Sequence, residues 1–347
     1  MNRKDEHVSL ARAFHQKNKE NDFDEVRLLH PSLVTARSEE IDLQTEFLGL
    51  QLSAPFFINA MTGGSEKTQK INHDLAIIAR ETDLMLATGS VSAALKDPSV
   101  IDSYTIVRQV NPTGLILGNM GAGRTCDDAK KIVDILQADA LQIHLNVPQE
   151  LVMPEGDREF HEWPENIQKT VQSLTVPVIV KEVGFGMTHE TISQLQTLGV
   201  KAVDVSGRGG TSFSQIENAR RPKRELHYLD DWGQSTVVSL LEAQNIPEMT
   251  LLASGGVRNA FDIFKALCLG AKAVGVSGTI LDQLLRHGIE ATIEMIEDWK
   301  KQLERLYLMT NKTTTADLIH NPVILTGAPK EWCETRGIDY KKLATRK

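Results

Sequence analysis

The segment Ala140-Leu141-Gln142-Ile143-His144-Leu145-Asn146-Val147-Pro148-Gln149-Glu150 says more about the architecture than any other part of the sequence. Its first four residues are mostly apolar, and the residues after them carry His, Asn, Gln and Glu side chains. This pattern predicts a buried strand that opens into a polar pocket. Structural polar residues usually stand alone or cap helices, so four of them together at a strand exit indicate a functional site.

The same kind of short apolar run occurs repeatedly along the chain. Each run is rich in β-branched residues or leucine and is apolar on both faces, as expected of strands buried between helices. In chain order the eight predicted strands are residues 56–59, 85–88, 115–118, 140–144, 178–181, 202–205, 250–253 and 273–276.

Amphipathic stretches of helical length lie between these strands, at residues 66–80, 125–137, 190–198 and 260–269. Gly199 and Gly270 follow two of them, where a left-handed residue that ends a helix is expected. Eight strand-then-helix units in a row predict an α/β protein with a (β/α)8 TIM barrel. A doubly wound sheet is the alternative, but it seldom contains eight such regular units.

The domain organisation follows from the length of 347 residues and from the absence of a Pro/Gly/Ser-rich linker in mid-chain. An average of ~150 residues per domain would give two domains, but α/β barrels often form a single one. We therefore predict one domain over residues 1–347. It consists of an N-terminal arm or lid (1–51), the barrel (52–310) and a C-terminal extension (311–347), with a helix at 290–308 packed on the barrel.

Composition excludes several classes of function. A net charge of -8 and a pI near 5.7 give no electrostatic case for a nucleic-acid partner. No apolar run approaches the ~20 residues of a membrane span, and the charged N-terminus has no apolar segment of a secretory signal. The three cysteines, Cys126, Cys268 and Cys333, are widely spaced, which favours a reduced, cytoplasmic setting without a zinc motif.

The predicted carboxyl ends of the strands share one composition, in which glycine stands beside small hydroxyl or amide residues. Since chemistry in TIM barrels occurs at these ends, so many similar ends predict a large, flat, polar ligand across the barrel mouth. The segments are residues 59–64, 88–90, 118–121, 181–184, 206–211, 254–258 and 277–279.

The last two of these ends predict a phosphate site, because barrels commonly bind phosphate after the seventh and eighth strands. Gly255-Gly256 and Ser277-Gly278 lie there, and glycine lets backbone N–H groups approach an anion at a helix N-terminus. Arg258 either adds a charge-assisted contact or faces solvent.

Lys181 supplies the second clue to the ligand. A lysine at the end of a buried strand is rarely structural unless it is paired, here with Glu182 or Asp204. The functional alternative is a cation aimed at an anionic ring, such as the N1/O2 edge of a reduced flavin. Phosphate, lysine and the amide or hydroxyl groups of the first three strand ends together predict FMN.

One combination of motifs extends over nearly the whole chain and is highly specific as a set. Its parts are residues 3–7, 59–64, 89–90, 118–119, 144–146 with 149–150, 180–186, 209–212 and 254–258. In these motifs the sequence resembles the family of type 2, FMN-dependent isopentenyl-diphosphate isomerases. The resemblance implies interconversion of isopentenyl and dimethylallyl diphosphate on reduced FMN without net redox change, with flavin N5 as acid or base. It also implies NADPH as reductant, Mg2+ and a homo-oligomer, a tetramer or octamer.

The resemblance also assigns residues to roles. Arg3, Lys4 and His7 match the diphosphate-binding motif, whereas His144, Asn146 and Gln149 match the catalytic substrate pocket, in which Gln149 also contacts substrate. Glu150 matches the Mg2+ ligand. The implied FMN contacts are Ala60, Met61, Thr62, Ser90, Asn119, Lys181, Ser206, Thr211, Gly255, Gly256, Arg258, Ser277 and Gly278.

Several points stay open in the sequence. His144 either titrates or forms a hydrogen-bonded wall, and the charged arm at residues 3–7 either closes over substrate or is disordered. Val91-Ser92 stand where many family members have Gln-Arg, so an arginine contact to the diphosphate has no evident replacement. Ser206 and Arg208 occupy positions that are often alanine. The cationic segment 220–224 is a solvated loop or a lid before a helix that starts near residue 230.

Two other functions fit parts of the pattern. Another FMN barrel enzyme, a 2-hydroxy-acid oxidase or a nucleotide dehydrogenase, would need carboxylate-binding arginines or a cysteine at the barrel mouth, and no cysteine lies at a strand end. A non-catalytic barrel that binds a phosphate ligand would hold flavin without accelerating an isomerisation. Neither explains the N-terminal Arg-Lys-x-x-His motif together with the Gln149-Glu150 pair.

Overall fold

A closed barrel of eight parallel strands forms the centre of the residues that this computed structural model describes, 3–15 and 20–346. Strands β4 to β11 follow one another around it, and β11 closes it by pairing with β4. The TIM-barrel prediction is confirmed, with each strand within three residues of its predicted bounds. The strands are β1 Val26–Leu28, β2 Thr45–Phe47, β3 Leu50–Leu52, β4 Phe56–Ile58, β5 Leu86–Ala87, β6 Ile116–Gly121, β7 Ala140–His144, β8 Val178–Lys181, β9 Ala202–Asp204, β10 Thr250–Ser254, β11 Ala273–Val276 and β12 Val323–Leu325.

Helices surround the barrel, and the first of them, α1 (Arg3–Phe14), lies over its mouth. They are α1 Arg3–Phe14, α2 Glu66–Glu81, α3 Ser92–Lys96, α4 Asp102–Val110, α5 Cys126–Leu136, α6 Val147–Val152, α7 Trp163–Ser173, α8 His189–Thr197, α9 Phe213–Arg220, α10 Thr236–Glu242, α11 Ala260–Cys268, α12 Gly278–Met309 and α13 Gly327–Arg336. Short 3-10 turns lie at Asp22–Glu25, Ser38–Glu40, Pro98–Val100, His227–Leu229, Thr315–His320 and Tyr340–Thr345.

Local sequence signals set most helix ends. The side chains of Ser65, Thr125 and Asn259 accept hydrogen bonds from backbone N–H groups in the first turns of α2, α5 and α11. Gly199 and Gly270, with φ of +89° and +107°, end two helices in the predicted left-handed conformation.

Two helix predictions need correction. The helix predicted at residues 290–308 is the second part of α12, which begins at Gly278 and breaks at Gly288, where φ is 85°. The helix expected near residue 230 begins only at Thr236, because residues 227–229 form a 3-10 turn instead.

The barrel interior has an apolar layer at the start of the strands and a polar layer two residues later. Phe57, Ile179 and Leu252 belong to the apolar layer. Because alternate residues of a strand point inward, the next inward positions on the same strands are Asn59, Lys181 and Ser254. The amino-terminal half of the barrel is therefore a packed core, and polar chemistry begins above it.

The antiparallel hairpin of β2 and β3 closes the amino-terminal end of the barrel. Its Phe47, Leu50 and Leu52 are buried in the same cluster as the apolar interior layer. This hairpin extends one residue beyond the predicted arm (1–51), to Leu52, and it plugs the bottom of the barrel rather than covering its mouth.

The C-terminal extension pairs with the N-terminal segment. β12 pairs antiparallel with β1, in a register that places Val26 opposite Leu325. Farther along, Cys333 in α13 is fully buried. The division of the chain into arm, barrel and extension stays our proposal.

Among the described residues, no helix has both the length and the apolar character required to cross a membrane.

Because the β2–β3 hairpin belongs to the barrel core, a mutation in its buried face should destabilise the protein more than a mutation in a loosely attached arm would. Phe47→Ala removes a buried aromatic ring, so we expect the free energy of unfolding to fall by about 3–5 kcal/mol in urea denaturation followed by circular dichroism. Gln51→Ala, on the exposed face of the same hairpin, should change it by less than about 0.5 kcal/mol. Equal small effects for both variants would contradict the assignment of the hairpin to the core.

Candidate active site

One cavity of about 710 Å³ opens at the carboxyl ends of the barrel strands, a size typical of small-molecule sites. Every residue that the sequence analysis assigned to a site lines it. These residues are Arg3, Lys4, His7, Ala60, Met61, Thr62, Ser90, Asn119, His144, Asn146, Gln149, Glu150, Lys181, Ser206, Thr211, Gly255, Gly256, Arg258, Ser277 and Gly278. Lining a common cavity makes their predicted roles compatible in space, and the roles themselves stay predictions.

Backbone groups after β10 and β11 form an anion cradle on one side of the cavity. Gly255 and Gly256 have φ of +94° and +74°, and a Cβ at Gly255 would lie only 2.0 Å from the Gly207 oxygen. Only glycine fits this turn. Ser277 provides no side-chain cap for α12, and Gly278, the first residue of that helix, lines the cavity, so the N-terminus of α12 is available to an anion there.

The side chain of Arg258 holds this turn in place. Its guanidinium contacts Asp24 at 2.7 and 2.8 Å and Asp262 at 2.8 Å. Neither alternative from the sequence describes it fully, because the side chain lines the cavity but its charge is shared by two carboxylates. Asn21 supports the same turn by donating from Nδ2 to the Gly256 oxygen at 2.8 Å.

Lys181 lies at the end of β8, buried on the floor of the cavity. In the strand register it is opposite Asp204 on β9 and His144 on β7. Burial lowers the pKa of Lys181, and the nearby Asp204 and Glu182 carboxylates oppose that shift. The structure thus joins the two alternatives of the sequence: Lys181 is electrostatically compensated and also faces the cavity.

Thr62 offers an independent sign that this cavity takes a polar ligand. Its hydroxyl is buried and has no hydrogen-bond partner in the structure, although the residue lines the cavity. A buried, unsatisfied hydroxyl is costly, so a ligand that bonds to it would be stabilised. The cradle, the cation at Lys181 and this hydroxyl have the donor chemistry that FMN requires.

The N-terminal helix α1 docks over the cavity. Asp5 accepts a hydrogen bond from Ser65 Oγ at 2.6 Å, and Glu6 forms an ion pair with Arg220 at 3.1 Å. Val8 is buried against the barrel. Disorder of the charged arm is therefore wrong for residues 3–15, because these contacts seat Arg3, Lys4 and His7 in the cavity wall.

A buried carboxylate that the sequence analysis missed, Glu217 in α9, organises this side of the site. It lies 3.0 Å from His7 Nε2, accepts from Gln149 Nε2 at 2.9 Å and pairs with Arg220 at 2.5 Å. Burial alone would raise the pKa of Glu217, but these donors outweigh it and lower the pKa. The only local signal was the Glu217–Arg220 spacing of three residues in a helix.

Arg220 itself corrects the prediction of a solvated cationic loop. It ends α9, and its guanidinium also contacts Glu155 at 2.5 Å. Arg221 is bound to Glu225 at 2.5 Å. Arg220 therefore connects the arm to α9, whereas Lys223 and Arg224 are exposed, as the solvated-loop alternative predicts.

The polar cluster at the exit of β7 is hydrogen-bonded within itself. Asn146 donates to Gln149 at 3.3 Å and to Glu150 at 2.8 Å, and the second oxygen of Glu150 accepts from the Asp157 backbone at 2.8 Å. A carboxylate has about four acceptor positions, so both oxygens of Glu150 keep lone pairs for a cation.

His144 is neutral at physiological pH. Burial, followed by the charges of Lys181 and Lys4, lowers the pKa of His144 to about 3. This favours the hydrogen-bonded wall of the two alternatives, since a titrating imidazole needs a pKa near the working pH.

Further cations and polar groups were not predicted from the sequence. Arg12, Lys96 and Arg124 line the cavity, although the whole chain is acidic. Val91 is buried, whereas Ser92 lines the cavity, four residues before Lys96. Arg208 donates from Nε to the Gly233 oxygen at 3.2 Å, which holds its side chain against a neighbouring loop.

Comparison with known proteins gives relatives over nearly the full length. Residues 123–323 match the FMN-dependent dehydrogenase family. Isopentenyl-diphosphate delta-isomerase of Latilactobacillus sakei subsp. sakei (strain 23K) is 50% identical over 325 residues, which cover 93% of both chains. The protein of the same name from Streptomyces sp. (strain CL190) is 46% identical over 345 residues, 99% of this chain and 95% of that one.

Solved structures with the same fold are more distant. A mandelate oxidase variant with a monooxide FMN adduct has a TM-score of 0.64 at 14% identity and covers 92% of each chain. A flavocytochrome b2 variant with benzoylformate has a TM-score of 0.66 at 19% identity and covers 95% of this chain and 87% of that one. These two share only the fold with this chain, whereas nearly half of its residues are identical to the isomerases along almost their whole length. The chain therefore belongs to the family of FMN-dependent isopentenyl-diphosphate delta-isomerases.

Proposed function

We propose that this chain interconverts isopentenyl diphosphate and dimethylallyl diphosphate on reduced FMN. One observation carries the proposal: a single cavity joins the anion cradle and Lys181 on the barrel to the Arg3, Lys4 and His7 side chains of α1. The first group suits a flavin phosphate and an anionic ring, and the second suits a diphosphate. The names of the relatives supply isopentenyl diphosphate as the substrate, and moving its double bond by one position gives dimethylallyl diphosphate.

The FMN would lie across the barrel mouth. Its phosphate would bind to the cradle at Gly255, Gly256 and Gly278, and Lys181 would neutralise the anionic edge of the ring. The Thr62 hydroxyl and the other strand-end residues would hydrogen-bond to the ring. When bound, reduced FMN supplies an electron-rich surface that stabilises positive charge on the substrate and can exchange a proton with it.

The substrate diphosphate would bind between α1 and the exit of β7. Arg3 and Lys4 supply charge there, and Glu150 would hold Mg2+ that also contacts the diphosphate. One carboxylate with phosphate oxygens and water suits Mg2+, which rarely uses an all-protein cage. Within residues 3–15 and 20–346, no three His, Cys, Asp or Glu side chains form such a cage.

The reaction adds one proton to a terminal carbon of the C=C unit and removes another from the carbon two bonds away, so no electrons are gained or lost. Alkenes are weak bases, and protonation develops positive charge that water would capture. The chain therefore contributes orientation and exclusion of water more than acid strength. Gln149 has no useful pKa, and both ends of its amide are bonded, to Glu217 and Asn146, which fits a positioning role.

We also infer NADPH as the reductant, a cytoplasmic location and a homo-oligomer. In support, the described Cys126, Cys268 and Cys333 are all free thiols, as in a reducing compartment. Tyr228 and Trp232 are 70% and 59% exposed close together in the chain, and a subunit interface would cover such aromatic surface.

An anaerobic assay with isopentenyl diphosphate, FMN, NADPH and Mg2+ tests the function directly. We expect NMR to show dimethylallyl diphosphate, and omission of either flavin or reductant to abolish it, because the reduced ring is required. Flavin that is bound and reduced but yields no product would reject the substrate. Reduction of the flavin by lactate or mandelate would then indicate a 2-hydroxy-acid oxidase.

Lys181→Met tests the flavin site. It removes the buried cation but keeps most of the side-chain length, so we expect FMN affinity to fall roughly 10- to 100-fold, as for a lost hydrogen bond to a charged group. Fluorescence quenching of free FMN measures the affinity. Lys201→Met makes the same chemical change at an exposed position and should bind normally; equal affinity in the two variants would contradict the role of Lys181.

Glu150→Gln tests the metal site. The amide is a poorer Mg2+ ligand than the carboxylate, so the Mg2+ concentration for half-maximal rate should rise at least about tenfold. Titration of the isomerase rate with Mg2+ measures this, with Glu159→Gln as the control because Glu159 is exposed in the same segment. An unchanged Mg2+ requirement in Glu150→Gln would remove this residue as a ligand.

A further inference from the structure

A chain of side-chain hydrogen bonds crosses the barrel interior directly below the cavity. It runs from Asp204 on β9 through Asn59, after β4, to Gln142 on β7, Asn119 on β6 and finally His144 on β7. The first three residues are completely buried. Asp204, Asn59 and Gln142 have no role in the proposed function, although this polar relay, as we call these five residues, ends at the cavity wall.

The orientation of the relay is fixed at its Asp204 end. Both oxygens of Asp204 act as acceptors: one accepts from the Ser206 N–H at 3.2 Å and the other from Asn59 Nδ2 at 2.9 Å. Ser254 Oγ contacts both oxygens at 2.8 and 2.9 Å.

A backbone group fixes the Asn59 amide a second time. The N–H of Ala60 donates to Asn59 Oδ1 at 2.8 Å, and a backbone N–H cannot act as an acceptor. If the Asn59 amide were rotated by 180°, its NH2 group would face the Ala60 N–H and its oxygen would face the Asp204 carboxylate. Neither pair could form a hydrogen bond. Gly275 leaves the room for the amide, since a Cβ there would lie 2.5 Å from Asn59 Nδ2.

The fixed Asn59 determines each later orientation. Gln142 must donate from Nε2 to Asn59 Oδ1, which it does at 3.0 Å, and its own oxygen then accepts from Asn119 Nδ2 at 3.1 Å. That leaves Asn119 Oδ1 facing His144 Nδ1 at 2.9 Å. Only a protonated Nδ1 can make this hydrogen bond.

The neutral imidazole therefore has its proton on Nδ1 and a lone pair on Nε2. Nε2 lies beside Gly121, which lines the cavity and where a Cβ would come within 3.3 Å of it. The other tautomer would place two acceptors against each other at 2.9 Å. Rotating the Asn119 amide by 180° would avoid this contact only if the Gln142 and Asn59 amides rotated as well. Asn59 would then point its oxygen at Asp204.

We propose that Gln142 is a positioning residue that, through the polar relay, holds His144 as the Nδ1–H tautomer and presents Nε2 to the cavity as a hydrogen-bond acceptor. In this state His144 accepts a hydrogen bond from a ligand N–H or O–H group and has no Nε2 proton to donate. The inference rests on the proposed function only in the identity of that ligand, because the tautomer follows from the protein alone.

The decisive measurement is the tautomer of His144 in the FMN-loaded protein at pH 7.5. Long-range 1H–15N correlation spectra of histidine-labelled protein distinguish a protonated from an unprotonated ring nitrogen, and a His144→Asn spectrum assigns the signals by difference. We expect a protonated Nδ1 and an unprotonated Nε2. An Nε2–H tautomer or an imidazolium would overturn the proposal, whether or not the chain proves to be an isomerase.

Gln142→Met tests the positioning residue itself, because methionine has a similar size and cannot continue the relay. We expect His144 to show a mixture of tautomers and, in the isomerase assay, kcat to fall about tenfold with little change in KM, as for one lost buried hydrogen bond. A pure Nδ1–H tautomer in this variant would exclude the role of Gln142. Thr170→Val is the control, since the Thr170 hydroxyl is buried without a partner outside the relay; it should leave tautomer and rate unchanged.

Discussion

The buried negative charge of Asp204 is the constraint on which the barrel mouth depends. A carboxylate is expensive to bury unless it is hydrogen-bonded and compensated, and Asp204 is completely buried. Ser254, Asn59 and the Ser206 N–H supply its hydrogen bonds, and Lys181 faces it in the strand register. Each of these groups belongs to a different strand end, so one charge positions much of the cavity floor.

Along the barrel strands, the first inward-facing residues stabilise the fold and the last ones line or lie under the cavity. The inward positions at the strand starts are apolar and are sealed by the β2–β3 hairpin, which provides the packed core. The inward positions two residues later are polar and lie under the cavity. A polar layer of this kind is tolerable because its amides satisfy one another, and the rigid core below keeps their distances fixed.

A second buried carboxylate, Glu217, connects the arm to the barrel. It contacts His7 from α1, Gln149 from the exit of β7 and Arg220 from its own helix. A single charge therefore couples the seating of α1 to the orientation of a pocket amide. In the proposed function this arrangement lets the cations of the arm approach the diphosphate while the arm shields the cavity from water.

The sequence by itself determined the eight strands, their order and the identity of the residues at their carboxyl ends, because apolar runs and glycine turns are local signals. It predicted one common mouth for the strand-end residues, since strand ends of a parallel barrel must meet there, whereas Arg3, Lys4 and His7 were assigned to the site through the family resemblance. Tertiary structure alone decided which side chains touch: the hairpin plug, the Asp24–Arg258 pair, Glu217 and the polar relay. Asn59 and Asp204 are 145 residues apart, and Gln142 sits inside an apolar run that gives no sign of its partners. Such contacts depend on inward direction and strand register across the barrel, which a local pattern does not encode.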